Sequence, residues 1–180
     1  MILVLCSTSL AAKGSAPMYQ KILVPLDGSD LSHEAIPNAI QLATSVNSPV
    51  VLLQVIDSVS QIIAETTPAT IEPIPSGQLT VDIAESAVAG QRQAAEGNLA
   101  AAIERFVEGG VARDQITTQI SEGFAAQTIV DEAARLGADV VVIATHGRSG
   151  LGRVLMGSVA DHVARHTPDA AVLLIRPHGK

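Results

Sequence analysis

The stretch Asp139-Val-Val-Val-Ile-Ala-Thr-His-Gly-Arg-Ser-Gly-Leu-Gly-Arg-Val-Leu-Met-Gly-Ser-Val-Ala160 decides how this chain folds. Its opening run of β-branched residues is the pattern of a strand covered on both faces. Gly147, Gly150, Gly152 and Gly157 then crowd into eleven residues before Ser158 opens a helix that runs to about His166. The next apolar run, Ala171-Val-Leu-Leu-Ile175, reads as another buried strand. Glycines give the backbone access to positive φ and let N–H groups approach an anion with no Cβ in the way. A helix that starts at Gly157-Ser158 directs free N–H groups and its dipole at whatever the loop encloses, an arrangement suited to phosphate. The Ser158 hydroxyl adds a donor, and Arg148 or Arg153 supplies positive charge.

Outward from this stretch the same alternation repeats. Lys21-Ile-Leu-Val-Pro-Leu26 is a strand that ends in the turn Asp27-Gly-Ser-Asp30, and Leu31, Ala35, Ala39, Leu42 and Val46 follow at helical spacing, with Pro37 expected to kink that helix. Pro49-Val-Val-Leu-Leu-Gln-Val-Ile56 is a second buried strand. Residues 57–80 hold Pro68, Pro73, Pro75 and Gly77 without a clean period and read as a long irregular loop. An Ala-rich helix over 81–108 stops at Gly109-Gly110. Gln115-Ile-Thr-Thr-Gln-Ile120 is a strand with one less buried face, and residues 124–136 form a helix that closes on Gly137 as its C-terminal residue. Five strands alternating with helices predict a doubly wound, open, parallel α/β sheet.

Composition supports a single domain. The chain has 180 residues, no Trp, one Tyr and two Phe, so its core is aliphatic and its helices sit close to the sheet. A net charge of −7 excludes a general nucleic-acid surface, and any polyanion site must be local. Cys6 is the only cysteine, which leaves no disulfide framework and no thiolate metal cluster. Residues 1–17 read as an N-terminal extension, disordered or a misplaced start, with residues 18–180 as the domain. Residues 1–5 are apolar but lack the basic start of an export signal, which stays as the alternative reading. The expected location is the cytoplasm, with no nucleic-acid or membrane partner.

Familiar phosphate and hydrolase motifs do not fit the loop. It has no Gly-Lys-Ser/Thr ending, Leu155 stands where a dinucleotide fingerprint has its third glycine, and Leu151 stands where a nucleophile elbow has its last. If the first and fourth strands are neighbours, Asp27 faces the glycine loop across the point where strand order reverses, the usual ligand crevice of such sheets. Asp27 then takes a ribose hydroxyl, or else it merely caps the first helix. His162 and His166 have the i, i+4 spacing of a metal pair without a third ligand of suitable spacing, so they are read as a solvated face.

Lys21-Ile-Leu-Val-Pro-Leu-Asp-Gly-Ser29, Thr145-His-Gly-Arg-Ser-Gly-Leu151 and Gly157-Ser-Val-Ala160 together resemble the universal stress protein family, over about residues 18–177. The resemblance implies a Rossmann-like sheet in order 3-2-1-4-5 and a homodimer through the last strand, residues 171–175. It also implies ATP, or AMP or ADP, in the nucleotide-binding branch, with Mg²⁺ carried by the nucleotide. That branch has the pattern Gly-x2-Gly-x9-Gly-Ser/Thr, which falls here on Ala144, Gly147, Gly157 and Ser158. By the same match Asp27 is the ribose carboxylate, Pro25 and Val55 are adenine-side residues, and His146 and Val159 line the phosphate end; Arg148 is added to the site for its charge. Ala144 departs from the pattern, and its methyl group is expected to weaken binding. The expected role is a stress-response sensor or regulator, with slow ATP hydrolysis at most. The alternatives are a nucleotide-free interaction module of the same fold and an ATP-cleaving or adenylating enzyme.

Overall fold

The computed structural model describes residues 3–5, 19–66, 77–145 and 157–176. In chain order the elements are β1 (Leu3–Leu5), β2 (Ile22–Pro25), α1 (Asp30–His33), α2 (Ile36–Val46), β3 (Val50–Ile56), α3 (Val59–Thr66), α4 (Gly77–Glu108), β4 (Ile116–Glu122), α5 (Ala125–Leu136), β5 (Val140–Ala144), α6 (Ser158–His166) and β6 (Ala171–Ile175). They build one sheet in the order β1-β6-β5-β2-β3-β4. The five strands from β2 onward are mutually parallel, and counted from β2 they stand in the expected order 3-2-1-4-5.

Alternation along the strands divides the core between two faces. Ile22, Val24, Val50, Leu52, Val140 and Val142 pack under α2 and α4, where Phe106 is wholly buried. Leu23, Val51, Leu53, Val141, Ile143 and Val172 pack under α5 and α6. Both faces of the inner strands are therefore apolar, as their unbroken β-branched runs require. The edge strand β4 is the exception: its burial alternates in part, and Thr117 and Thr118 face solvent.

The seam between β2 and β5 is held at its start by Asp139. One carboxylate oxygen accepts the N–H groups of Gln20 and Lys21 at 2.8 and 2.9 Å. The Asp139 N–H returns a bond to the Lys21 carbonyl at 3.0 Å. The Lys21 ammonium donates to the Leu136 carbonyl at 2.7 Å, at the end of α5, where a cation complements the helix dipole. Gly137 caps that helix in the left-handed conformation at φ 63°, as its position in the sequence predicts.

Three expectations change. Pro37 does not kink a helix; the chain breaks after His33, and Pro37 lies in the first turn of α2, where the helix has no hydrogen bond for it to remove. The loop expected over 57–80 contains α3, and α4 begins as early as Gly77. The signal was a capping box: Ser58 Oγ accepts the Gln61 N–H at 3.3 Å while Gln61 Oε1 accepts the Ser58 N–H at 2.9 Å. Val59 and Ile62 then reach the α4 residues Val88 and Ala95, an association that no local period could show. Pro68, Pro73 and Pro75 lie outside the described residues. Finally, β6 is not the sheet edge, because Leu3–Leu5 of the N-terminal extension runs antiparallel beside it.

The burial of Phe106 makes a direct test of how α4 is held. Phe106→Ala should cost about 3–5 kcal/mol in a denaturant melt, as cavity-forming changes of this size do. Ile83→Ala, at a site 60 % exposed on the same helix, should stay within about 0.5 kcal/mol. Equal small losses at both sites would show that α4 does not pack on the sheet in this way.

Candidate functional site

The cavity of about 280 Å³ lies at the carboxyl ends of the strands, over the point where the order turns from β3 to β5 about β2. All of the expected site residues that the structure describes line it: Pro25, Asp27, Val55, Ala144, Gly157, Ser158 and Val159. His146, Gly147 and Arg148, with the rest of the glycine loop, lie outside the described residues.

The two ends of the cavity differ in chemistry. Its floor is apolar, from Leu53, Val55 and Ile143 at the strand ends and Ala125 and Ile129 of α5. One rim is the turn after β2. Leu26, just past β2, donates to the Leu53 carbonyl at 2.8 Å, and the chain then turns through Gly28 at φ 78°. Asp27 Oδ1 accepts the Ser29 N–H at 2.9 Å, an Asx turn, and Ser29 in turn caps α1 by accepting the Ser32 N–H at 3.1 Å. Desolvation pushes the Asp27 carboxyl up, but bonds from Ser29 and Ser32 outweigh it and hold the group below its ordinary value. An exposed, firmly ionised carboxylate therefore stands at this rim as an acceptor. The helix-cap role belongs to Ser29, so Asp27 is not needed for it.

The other rim is the N-terminus of α6. Gly157 is the N-cap residue and makes no side-chain cap bond, which leaves the first N–H groups of the helix directed outward. Thr145 joins this end to the sheet. Its N–H donates to the Ile175 carbonyl at 2.8 Å, and its hydroxyl accepts the Gly157 N–H at 3.1 Å. Residues 145 and 157, the two ends of the glycine loop, are thus closed by a hydrogen bond. Thr145 is 3 % exposed, and it was not among the residues singled out from the sequence. Its signal was available: a buried hydroxyl directly after an apolar strand needs a partner.

Gly157 itself is informative. Its φ of −59° is open to any residue, so backbone strain does not demand glycine here. Among the described residues, a Cβ at this position would meet nothing nearer than the Thr145 hydroxyl at 3.9 Å. What a side chain would occupy is space at the helix N-terminus. Ala144 presents a different balance. It lines the cavity, yet its side chain also packs with the cluster under α2 and α4.

Two neighbouring groups complete the picture. Asp161, in the first turn of α6, would oppose an anion, but Arg165 one turn on holds its carboxylate at 2.9 Å and lowers its pKa. The His162 and His166 rings stack with centroids 4.1 Å apart, and His166 Nδ1 lies 2.8 Å from the His162 carbonyl. That nitrogen is engaged with the backbone, and no group of three metal-ligating side chains occurs among the described residues. No helix among the described residues is long and apolar enough to cross a membrane.

Known proteins share this architecture. The family model described as "Universal stress protein family" matches residues 18–176. Universal stress protein MJ0531 of Methanocaldococcus jannaschii is 32 % identical over 160 residues, covering 89 % of this chain and 84 % of that protein. Among solved structures, hypothetical protein MJ0577 superposes with a TM-score of 0.67 at 22 % identity, over 91 % of this chain and 99 % of that one. A universal stress protein in complex with cAMP superposes with a TM-score of 0.57 at 24 % identity, over 89 % of this chain and 97 % of that one. With its strand order, its crevice and this match over nearly the whole domain, the chain belongs to the universal stress protein family.

Proposed function

We propose that this protein binds an adenine nucleotide, ATP with its Mg²⁺, in the cavity between Asp27 and the start of α6, and acts as a homodimeric stress-response regulator. The observation that carries the proposal is Gly157: a glycine that the backbone does not require, keeping clear the space in front of a helix N-terminus. The rest of the cavity matches the remaining parts of such a ligand. A flat apolar base suits the floor of Leu53, Val55 and Ile129, and a ribose offers hydroxyl donors to Asp27. The cAMP complex of a similar protein supports the same ligand chemistry on this fold.

Binding rather than turnover is the better reading of the residues present. Among the described residues that line the cavity, Asp27 is the only titratable side chain. Held ionised by Ser29 and Ser32, it is poorly matched to proton transfer near neutral pH. Mg²⁺ would travel with the phosphates and neutralise part of their charge. Ala144 favours the second reading, a nucleotide-free interaction module, because it puts a methyl group where the nucleotide-binding pattern has glycine.

Calorimetric titration of the full chain with ATP and Mg²⁺ distinguishes these readings. Gly157→Ala should melt with the parent yet bind ATP about tenfold or more weakly, a loss of about 1.4 kcal/mol. Gly157→Val should abolish binding, and no binding by the parent at millimolar ATP would select the nucleotide-free module. Ala144→Gly should tighten ATP binding severalfold if the methyl crowds the ligand; an unchanged affinity rejects that crowding. Asp27→Asn keeps the turn acceptor but removes the charge, so ATP should bind about ten- to a hundredfold more weakly, the worth of a charged hydrogen bond. Because folding lowers the Asp27 pKa, its charge stabilises the fold at neutral pH, and this contribution fades as pH falls through about 4 and below. The melting temperatures of Asp27→Asn and the parent should therefore differ at pH 7 and converge in acid.

A further inference from the structure

The N-terminal strand occupies the place where a second copy would dock. β1 pairs with β6 antiparallel, with Leu3 opposite Leu174, Val4 opposite Leu173 and Leu5 opposite Val172. On its other side β6 is joined to β5: Ala171 donates to the Asp139 carbonyl, and the Ile175 carbonyl accepts the Thr145 N–H. Backbone groups alternate sides along a strand, so those of residues 171, 173 and 175 face β5, while those of Val172 and Leu174 face β1. Without β1 these groups would form an open, apolar sheet edge, which readily pairs with another chain.

The register has a symmetry of its own. It is centred on Leu173, with one pair on each side. A two-fold axis through Leu173 would set a second β6 antiparallel to the first, with Val172 opposite Leu174. In that arrangement Leu3, Val4 and Leu5 stand where the second copy's Val172, Leu173 and Leu174 would lie, and both triplets consist of two leucines and one valine. The same two-fold would bring Arg176 opposite Ala170 and beside Asp169, opposite charges at each end of the shared edge. β1 is joined to the domain by residues 6–18, thirteen residues that can extend about 43 Å. The lateral distance from β1 to β2 is three strand spacings, about 14 Å. Thirteen residues are thus more than the paired position of β1 requires.

We infer that β1 is an internal competitor for the dimer edge: paired with its own β6 it keeps the chain monomeric, and its release exposes β6 to a second copy. This rests on the reading of β6 as the homodimer edge. A dimer needs two open edges. If one chain in ten is uncapped, the apparent dimer dissociation constant rises about a hundredfold over that of the open chain.

The test compares the full chain with Leu5→Pro and, separately, Leu3→Pro, each of which removes an N–H directed at β6. Sedimentation equilibrium should show both variants dimerising about a hundredfold more tightly than the parent. In dilute monomer the Val172 and Leu174 amides of the variants should exchange hydrogen faster than in the parent, and regain protection in the dimer. Equal dimer constants for all three chains would overturn the capping role while leaving the β6 edge reading intact. Variants that stay monomeric at millimolar concentration, with these amides exposed, would overturn the edge reading itself. A parent dimer that either proline dissociates would overturn the competition, since β1 would then be joining copies rather than separating them.

Discussion

The fold depends on the seam where β2 meets β5. These strands are far apart in sequence, and their paired residues are Ile22 with Val140 and Leu23 with Val141. Asp139 makes the seam definite by accepting the N–H groups of Gln20 and Lys21 and donating its own to Lys21. From β2 the sheet extends through β3 and β4 on one side and through β5 and β6 on the other. The helices that follow β2 and β5, α2 and α6, therefore pack on opposite faces of the sheet, and the cavity lies at the strand ends where they diverge. The site is a consequence of the topology before any side chain is chosen for it.

Side chains then give that space its polarity. The strand side chains are aliphatic, so among the described residues the polar side chains that line the cavity, Asp27, Ser32, Thr145 and Ser158, come from the turns and helices beyond the strand ends. Ser29 and Ser32 organise the turn that carries Asp27. Thr145 closes the two ends of the glycine loop against each other, so that α6 starts beside the sheet. The result is an acceptor at one rim, donors at the other and an apolar floor between them. In the reading proposed above, the apolar ring, hydroxyls and anionic end of the ligand meet these three parts in turn.

The elements added around the five-stranded frame have different physical origins. α3 starts from a local device, the reciprocal Ser58–Gln61 cap, and is then held by Val88 and Ala95 of α4. β1 has no such local device. Its three residues take their place by backbone pairing with β6.

By itself the sequence determined the elements whose cause is local. Unbroken β-branched runs marked the inner strands, and Gly137 marked the end of α5. The strand order 3-2-1-4-5 was also legible, through family resemblance, and the crevice followed from it. Tertiary structure decided what depends on distant partners. It broke the first helical run after His33, leaving Pro37 in the first turn of α2, extended α4 over residues first read as loop, and recruited Leu3–Leu5 to β6. It also made Thr145 part of the cavity and gave Gly157 a backbone conformation open to any residue. Periodicity records which face of an element meets the core, but which residue lies opposite is settled only when strands more than a hundred residues apart close on each other at the seam Asp139 holds.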